Sequence, residues 1–128
     1  MTSDVQTDYA HAGLATYTPL EVCAAGGRDL NAGKLNEMKR SEALDILTQG
    51  ATSLIKKLFE DGPLYGAMGI GGSTSSALAC SVMRTLPLGL PKMCVSTMVS
   101  GDVSAYVGDT DICLMPSIGE SLLSLIHI

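Results

Sequence analysis

The residues best suited to chemistry in this chain are glycines and hydroxyls rather than charged groups. Gly69-Ile70-Gly71-Gly72-Ser73-Thr74-Ser75-Ser76 follows a short apolar run over residues 64–70 and opens onto a helix-forming stretch. A turn from a buried strand into a helix N-terminus leaves several backbone N–H groups without an intrahelical partner. The helix dipole adds partial positive charge at the same place. Gly71 and Gly72 let the backbone approach an anion closely, and the hydroxyls of Ser73, Thr74, Ser75 and Ser76 supply further donors. The chemistry suits phosphate. The dipole contributes only about 0.3–1 kcal/mol, whereas micromolar affinity needs roughly 8 kcal/mol. Direct N–H contacts, together with Mg²⁺ or a base pocket, must supply the rest. The pattern is not GxxxxGK[ST], because no Lys follows, and not GxGxxG, because Thr74 stands at the third glycine position. A tight turn capped by its own serines explains the same residues without a ligand, and would leave the chain a non-catalytic protein-interaction domain.

The turn also fits a nucleophile elbow, with Ser73 in a Gly-x-Ser-x-small context. A hydrolase of that kind needs a general base, normally His. His11 is the one histidine outside the C-terminal tail, and no orienting partner for it stands out.

The other dense segment is Ser96-Thr97-Met98-Val99-Ser100-Gly101-Asp102-Val103, at the expected C-terminal end of a strand. Ligands of open parallel sheets bind in the crevice outside the strand C-termini. The hydroxyls of Ser96, Thr97 and Ser100, the Gly101 turn and the Asp102 carboxylate would then face phosphates or Mg²⁺. Asp102 reads equally well as an N-cap or turn acid. Asp109 and Asp111 read as turn acids beside Gly108. Arg84 and Lys92 are further phosphate contacts to weigh, although a solvated helix end and a solvated strand start account for them better.

These segments need elements to position them. Thr18-Pro19-Leu20-Glu21 predicts a helix start with a capping box, and Gly26-Gly27 its end. Residues 28–33 read as loop. Residues 36–59 predict one long amphipathic helix, with Leu44, Leu47, Ala51, Leu54, Ile55 and Leu58 on its apolar stripe. Gly50 weakens its middle by about 1 kcal/mol. After the 64–70 strand, a helix carries Leu78, Val82 and Leu86 on one stripe and Ala77, Cys80 and Ser81 on a small-residue face. Pro87 and Gly89 end it. Residues 92–98 predict a second strand, and residues 112–115 a third apolar run after the Gly108-Asp109 turn. Val5 fits a short strand near the start. Strand, helix and strand joined by a short crossover imply a parallel sheet. The class is α/β.

Composition sets outer bounds. At 128 residues, the chain holds one domain at most. With 46% hydrophobic and 16% charged residues, it is too apolar for intrinsic disorder. Aromatics are 4%, so the core must be aliphatic and small-residue packing. The net charge of −5 leaves little for the basic face that nucleic-acid binding requires. No stretch approaches the roughly 18 apolar residues of a membrane helix, and the first ten residues lack a signal pattern. Cys23, Cys80, Cys94 and Cys113 are too scattered for a zinc knuckle or a disulfide scaffold. They read as reduced, mostly buried residues of a cytoplasmic protein with no metal site. The last six residues, Leu123-Ser124-Leu125-Ile126-His127-Ile128, match the in-frame translation of a transposase sequencing adapter. The natural coding sequence is therefore expected to stop near Ser121 or Leu122, leaving residues 1–122 as part of a domain.

Residues 66–118 resemble the Tm-one-like ATP-binding family of the tomato mosaic virus resistance protein and its bacterial and fungal relatives. Met83-Arg84-Thr85-Leu86-Pro87-Leu88-Gly89-Leu90-Pro91-Lys92 carries the resemblance. So do Val95-Ser96-Thr97-Met98-Val99-Ser100-Gly101-Asp102-Val103 and Tyr106-Val107-Gly108 with Asp111-Ile112. It implies a Rossmann-like, three-layer α/β domain that binds ATP and forms homo-oligomers, here homodimers, in the full-length protein. Two departures matter. The family's turn has Gly-Gly-Thr where this chain has Thr74-Ser75-Ser76, and the Cβ atoms restrict phosphate approach while the hydroxyls keep donors. The family's first apolar strand and its second domain have no counterpart here, so the expected domain is incomplete.

Overall fold

Thr18 opens the first helix by the expected local chemistry. Its hydroxyl accepts from the Glu21 N–H, while the Glu21 carboxylate accepts from the Thr18 N–H at 2.7 Å. That exchange holds the Glu21 carboxyl below its ordinary range and fixes the start of α1 (Pro19–Ala25). The computed structural model describes residues 17–117. Val5, His11 and the six-residue tail lie outside them. Two further helices, α2 (Ala32–Glu37) and α3 (Arg40–Asp61), precede β1 (Ala67–Gly71). Then come α4 (Ser73–Met83), β2 (Lys92–Ser96), α5 (Ser104–Val107) and β3 (Cys113–Pro116). The chain divides into two compact units, residues 1–54 and 55–128.

In the first unit, the single helix expected over residues 36–59 is two helices. The Asn31 side chain caps α2 by accepting from the Lys34 N–H at 2.8 Å, so Ala32 and Gly33 are helical rather than loop. Met38 then turns to an extended backbone (φ −70°, ψ 154°) and packs against the core of Cys23, Leu35, Ala43 and Ile46. Burial of that side chain outweighs helix continuity. The buried stripe of α3 is also displaced by a residue, to Ala43, Ile46 and Gly50. Gly50 is the reason: a Cβ there would overlap the Val22 carbonyl oxygen of α1. Its missing side chain permits a close backbone crossing and is no flaw in the helix. Gly50→Ala therefore lowers stability despite gaining about 1 kcal/mol of helix propensity. Overpacking of about 1–3 kcal/mol exceeds that gain. Urea unfolding measures the balance, and a stabilised variant would refute the close crossing.

In the second unit, the three strands pair in the order β1-β2-β3, all parallel, as the strand–helix–strand pattern predicts. Met68, Met93 and Cys113 form one row across the three strands, and Ile70, Val95 and Met115 another. α4 covers the other face, where Cys80 and Met83 pack with Cys94, Ile112, Ala79 and Leu114. This is the small-residue aliphatic core that scarce aromatics demand. Residues Ser104–Val107 form the single turn of α5. All four cysteines are free, with Cys23, Cys80 and Cys94 buried and Cys113 exposed. Burial, with Cys94 alongside, pushes the Cys80 thiol up to about 11, which makes it a packing group rather than a nucleophile. No helix among the described residues is long and apolar enough to cross a membrane.

Candidate functional site

A parallel sheet gathers all its strand C-termini at one edge. Here Gly71, Ser96 and Pro116 end the three strands in register. The Thr97 N–H donates to the Gly71 carbonyl at 3.4 Å. The turn at residues 71–76 and the segment at residues 96–102 therefore meet at this edge, as the crevice rule predicts.

A pair of buried hydroxyls ties them together. Ser76 and Ser96, each almost wholly inaccessible, hydrogen-bond at 2.6 Å. The Ser76 hydroxyl donates to the Gly72 carbonyl at 2.8 Å and so accepts from Ser96, whose Oγ in turn accepts from the Met98 N–H at 3.1 Å. Both residues are among those expected to face a ligand, and here their hydroxyls join the two loops. Gly71 has an internal reason as well, since a Cβ there would overlap the Ser75 side chain.

What remains exposed is the start of α4. Gly72 is its N-cap and makes no side-chain cap bond, and the first ladder bond runs from the Ser76 N–H to the Gly72 carbonyl at 2.9 Å. The amides of Ser73 and Ser75 precede that bond, and both residues are exposed, while Thr74 is half-buried. On the facing segment, Thr97 is half-buried, and Ser100, Gly101 and Asp102 are exposed. The Asp102 carboxylate accepts from the Ser104 N–H at 2.9 Å. Hydrogen bonds from the Ser104 side chain and backbone hold its carboxyl below the ordinary range. Asp102 is thus an ionised turn acid at the head of α5, which satisfies one of the two readings given it above.

The side-chain cations lie elsewhere. The Arg84 guanidinium donates to the Ala105 and Tyr106 carbonyls at 2.7 and 3.0 Å and to Ser81 Oγ at 3.2 Å, closing α5 onto α4. Lys92 begins β2 at the opposite sheet edge, and its side chain is 0% exposed. Its ammonium donates to the Pro87 and Leu90 carbonyls at 2.7 and 3.0 Å and pairs with Asp111 Oδ1 at 2.7 Å. A solvated strand start was the wrong expectation for Lys92. Asp111 also does more than end a turn, since its Oδ2 accepts from the Gly89 N–H at 2.8 Å. The lysine's place at the head of an apolar strand was the available signal. A groove of about 590 Å³, lined in part by Met68, Gly89, Lys92, Asp111 and Cys113, lies at that opposite edge.

Among the described residues, no three His, Cys, Asp or Glu side chains converge to hold a metal ion. Ser73 does stand first in a helix behind a glycine turn, as an elbow requires, but His11 is outside the described residues.

The N-terminal domain of the uncharacterised protein family UPF0261 matches residues 1–122. The chain belongs to this family. A UPF0261 protein of Clostridium tetani is 33% identical over 98 residues, covering 77% of this chain and 24% of the relative. The ToMV susceptible protein tm-1(GCR26) of Solanum lycopersicum is 35% identical over 79 residues, covering 62% of this chain and 10% of the relative. A UPF0261 protein of Rhizobium meliloti is 51% identical over 55 residues, covering 43% of this chain and 14% of the relative. The chain thus spans a quarter or less of these UPF0261 relatives. The resemblance read over residues 66–118 is borne out, and the parallel α/β fold agrees with it.

Proposed function

We propose that this UPF0261 domain binds ATP at the C-terminal edge of its sheet, with the phosphates over the exposed start of α4. The observation that carries the reading is the pairing of an uncapped helix start, at Gly72, with the 96–102 segment held against it by the Ser76–Ser96 bond. Main-chain amides at Ser73 and Ser75 and their hydroxyls are the phosphate donors, as at other helix N-termini that take anions. Gly71, Gly72 and Thr74 shape that turn. Thr97, Ser100 and Gly101 form the opposite wall. The ionised Asp102 carboxylate suits Mg²⁺ carried in with the nucleotide, because hard cations take oxygen ligands. In the full-length protein the domain acts as a homo-oligomer in the cytoplasm. No reaction is assigned to it.

Isothermal titration with Mg-ATP tests the reading. Saturable binding in the micromolar range is expected. The absence of both heat and a thermal shift up to millimolar ATP would reject it. Ser73 as a hydrolase nucleophile is the competing use of the same turn, and labelling by a serine-reactive phosphonate would favour it instead.

A further inference from the structure

Three strands end at the common edge, but only two of them contribute to the site proposed above. β3 ends at Pro116, and the next residue, Ser117, donates its main-chain N–H to the Ser96 carbonyl at 3.0 Å. That bond carries the β2–β3 pairing, in which Ser96 lies opposite Pro116, one step further. It seats Ser117 beside the start of the 96–102 segment. The Ser117 Oγ is buried and has no hydrogen-bond partner among the described residues.

A hydroxyl can donate one hydrogen bond and accept two, and a buried one with no partner opposes folding by its full desolvation penalty. Native structures leave few such groups, and those they leave call for a reason. Ser76 and Ser96 meet the same difficulty one strand away by bonding each other. Among the described residues Ser117 has no such answer, and its main-chain bond to Ser96 seats it at the same sheet edge as the 96–102 segment.

We infer that Ser117 is the third-strand contact of the site, giving its hydroxyl to an oxygen of a bound polyphosphate chain. The inference rests on the nucleotide-binding reading and narrows its ligand. Adjacent strands are about 4.8 Å apart, so β1 and β3 end about 10 Å from each other. A single phosphate over α4 does not bridge that span. A chain of linked phosphates reaching from the α4 turn past Ser96 does. The site therefore selects nucleoside triphosphates over monophosphates, and Ser117 is a specificity-determining residue.

Ser117→Ala separates this role from a structural one, because the two predict opposite signs. Removing a dry hydroxyl leaves the thermal midpoint of the ligand-free chain unchanged or higher. The same substitution raises the Kd for Mg-ATP by about tenfold, the value of one hydrogen bond to a charged group, and leaves weak AMP binding unchanged. Ser117→Cys, nearly isosteric with a poorer donor, falls between wild type and alanine for ATP. A lower midpoint in Ser117→Ala would mean that the hydroxyl already has a protein partner, and would overturn the inference. An unchanged Kd for Mg-ATP, or equal losses for ATP and AMP, would overturn it while leaving ATP binding intact. A wild-type chain that binds no ATP would remove both readings together.

Discussion

Lys92→Ala lowers the stability of the chain by about 3 kcal/mol, the lower end of what breaking a buried ion pair entails. The side chain is wholly inaccessible, and its ammonium serves two carbonyls and a carboxylate at 2.7–3.0 Å. Alanine leaves the Pro87 and Leu90 carbonyls without that donor and opens a void where the stem lay. The Asp111 side chain is 42% exposed and returns to water, which is why the loss stays at the lower end. Urea unfolding reads the difference. A change below about 1 kcal/mol would show that water, not protein, satisfies the ammonium. Lys92→Met restores the stem volume and recovers part of the loss. Acid titration supplies an independent check. The Lys92 ammonium, then the Gly89 N–H, hold the Asp111 carboxyl below its ordinary value of 3.8. A depressed carboxyl contributes stability that is present above its unfolded value and lost as pH falls through the folded one. Wild-type stability therefore drops below about pH 4, and Lys92→Ala flattens that acid limb.

What sequence revealed and what it hid divide along a physical line. The Thr18–Glu21 box, the Gly-Gly entry into α4 and the parallel sheet were legible because their causes lie within a few residues or in simple periodicity. So was the edge that joins residues 71–76 to residues 96–102, since strand direction alone decides it. The break at Met38 and the shifted stripe of α3 were not. Each depends on a partner distant in sequence, the Cys23 cluster for one and the Val22 carbonyl for the other. The Ser76–Ser96 tie was hidden for the same reason. A serine in a glycine turn carries no local mark that separates a ligand donor from a strut.

The two edges of the sheet use opposite chemistry. At the N-terminal edge, a buried cation and a carboxylate bind the segment around Gly89 to the strand starts. At the C-terminal edge the ties are neutral hydroxyls and amides. Arg84 is committed to the α5 carbonyls and Lys92 to the far edge, so neither of these two cations serves a phosphate over α4. On the reading proposed above, an anion bound there is held by main-chain donors, aided by whatever cation it brings, in a chain of net charge −5. This dependence makes the site unusually sensitive to an added negative charge.

Ser73→Glu tests that sensitivity, and we expect it to weaken Mg-ATP binding by about 100-fold. Ser73 is the first residue of α4 and is exposed. A carboxylate in a first helical turn stabilises the helix by about 0.3–1 kcal/mol through the dipole. The thermal midpoint of the variant should hold or rise, so lost binding cannot be blamed on unfolding. The same carboxylate occupies the amides meant for phosphate and repels it. Two like charges 4 Å apart near a protein surface repel each other by about 4 kcal/mol. Partial screening reduces this to roughly the 2.7 kcal/mol that corresponds to 100-fold. Raising the ionic strength should shrink the defect, because the added term is electrostatic. Ser73→Ala, which removes one hydroxyl and adds no charge, should cost less than about tenfold. A Ser73→Glu protein that bound Mg-ATP as wild type does would place the phosphates away from α4. The amide-lined turn would then be nothing more than the link between β1 and its covering helix.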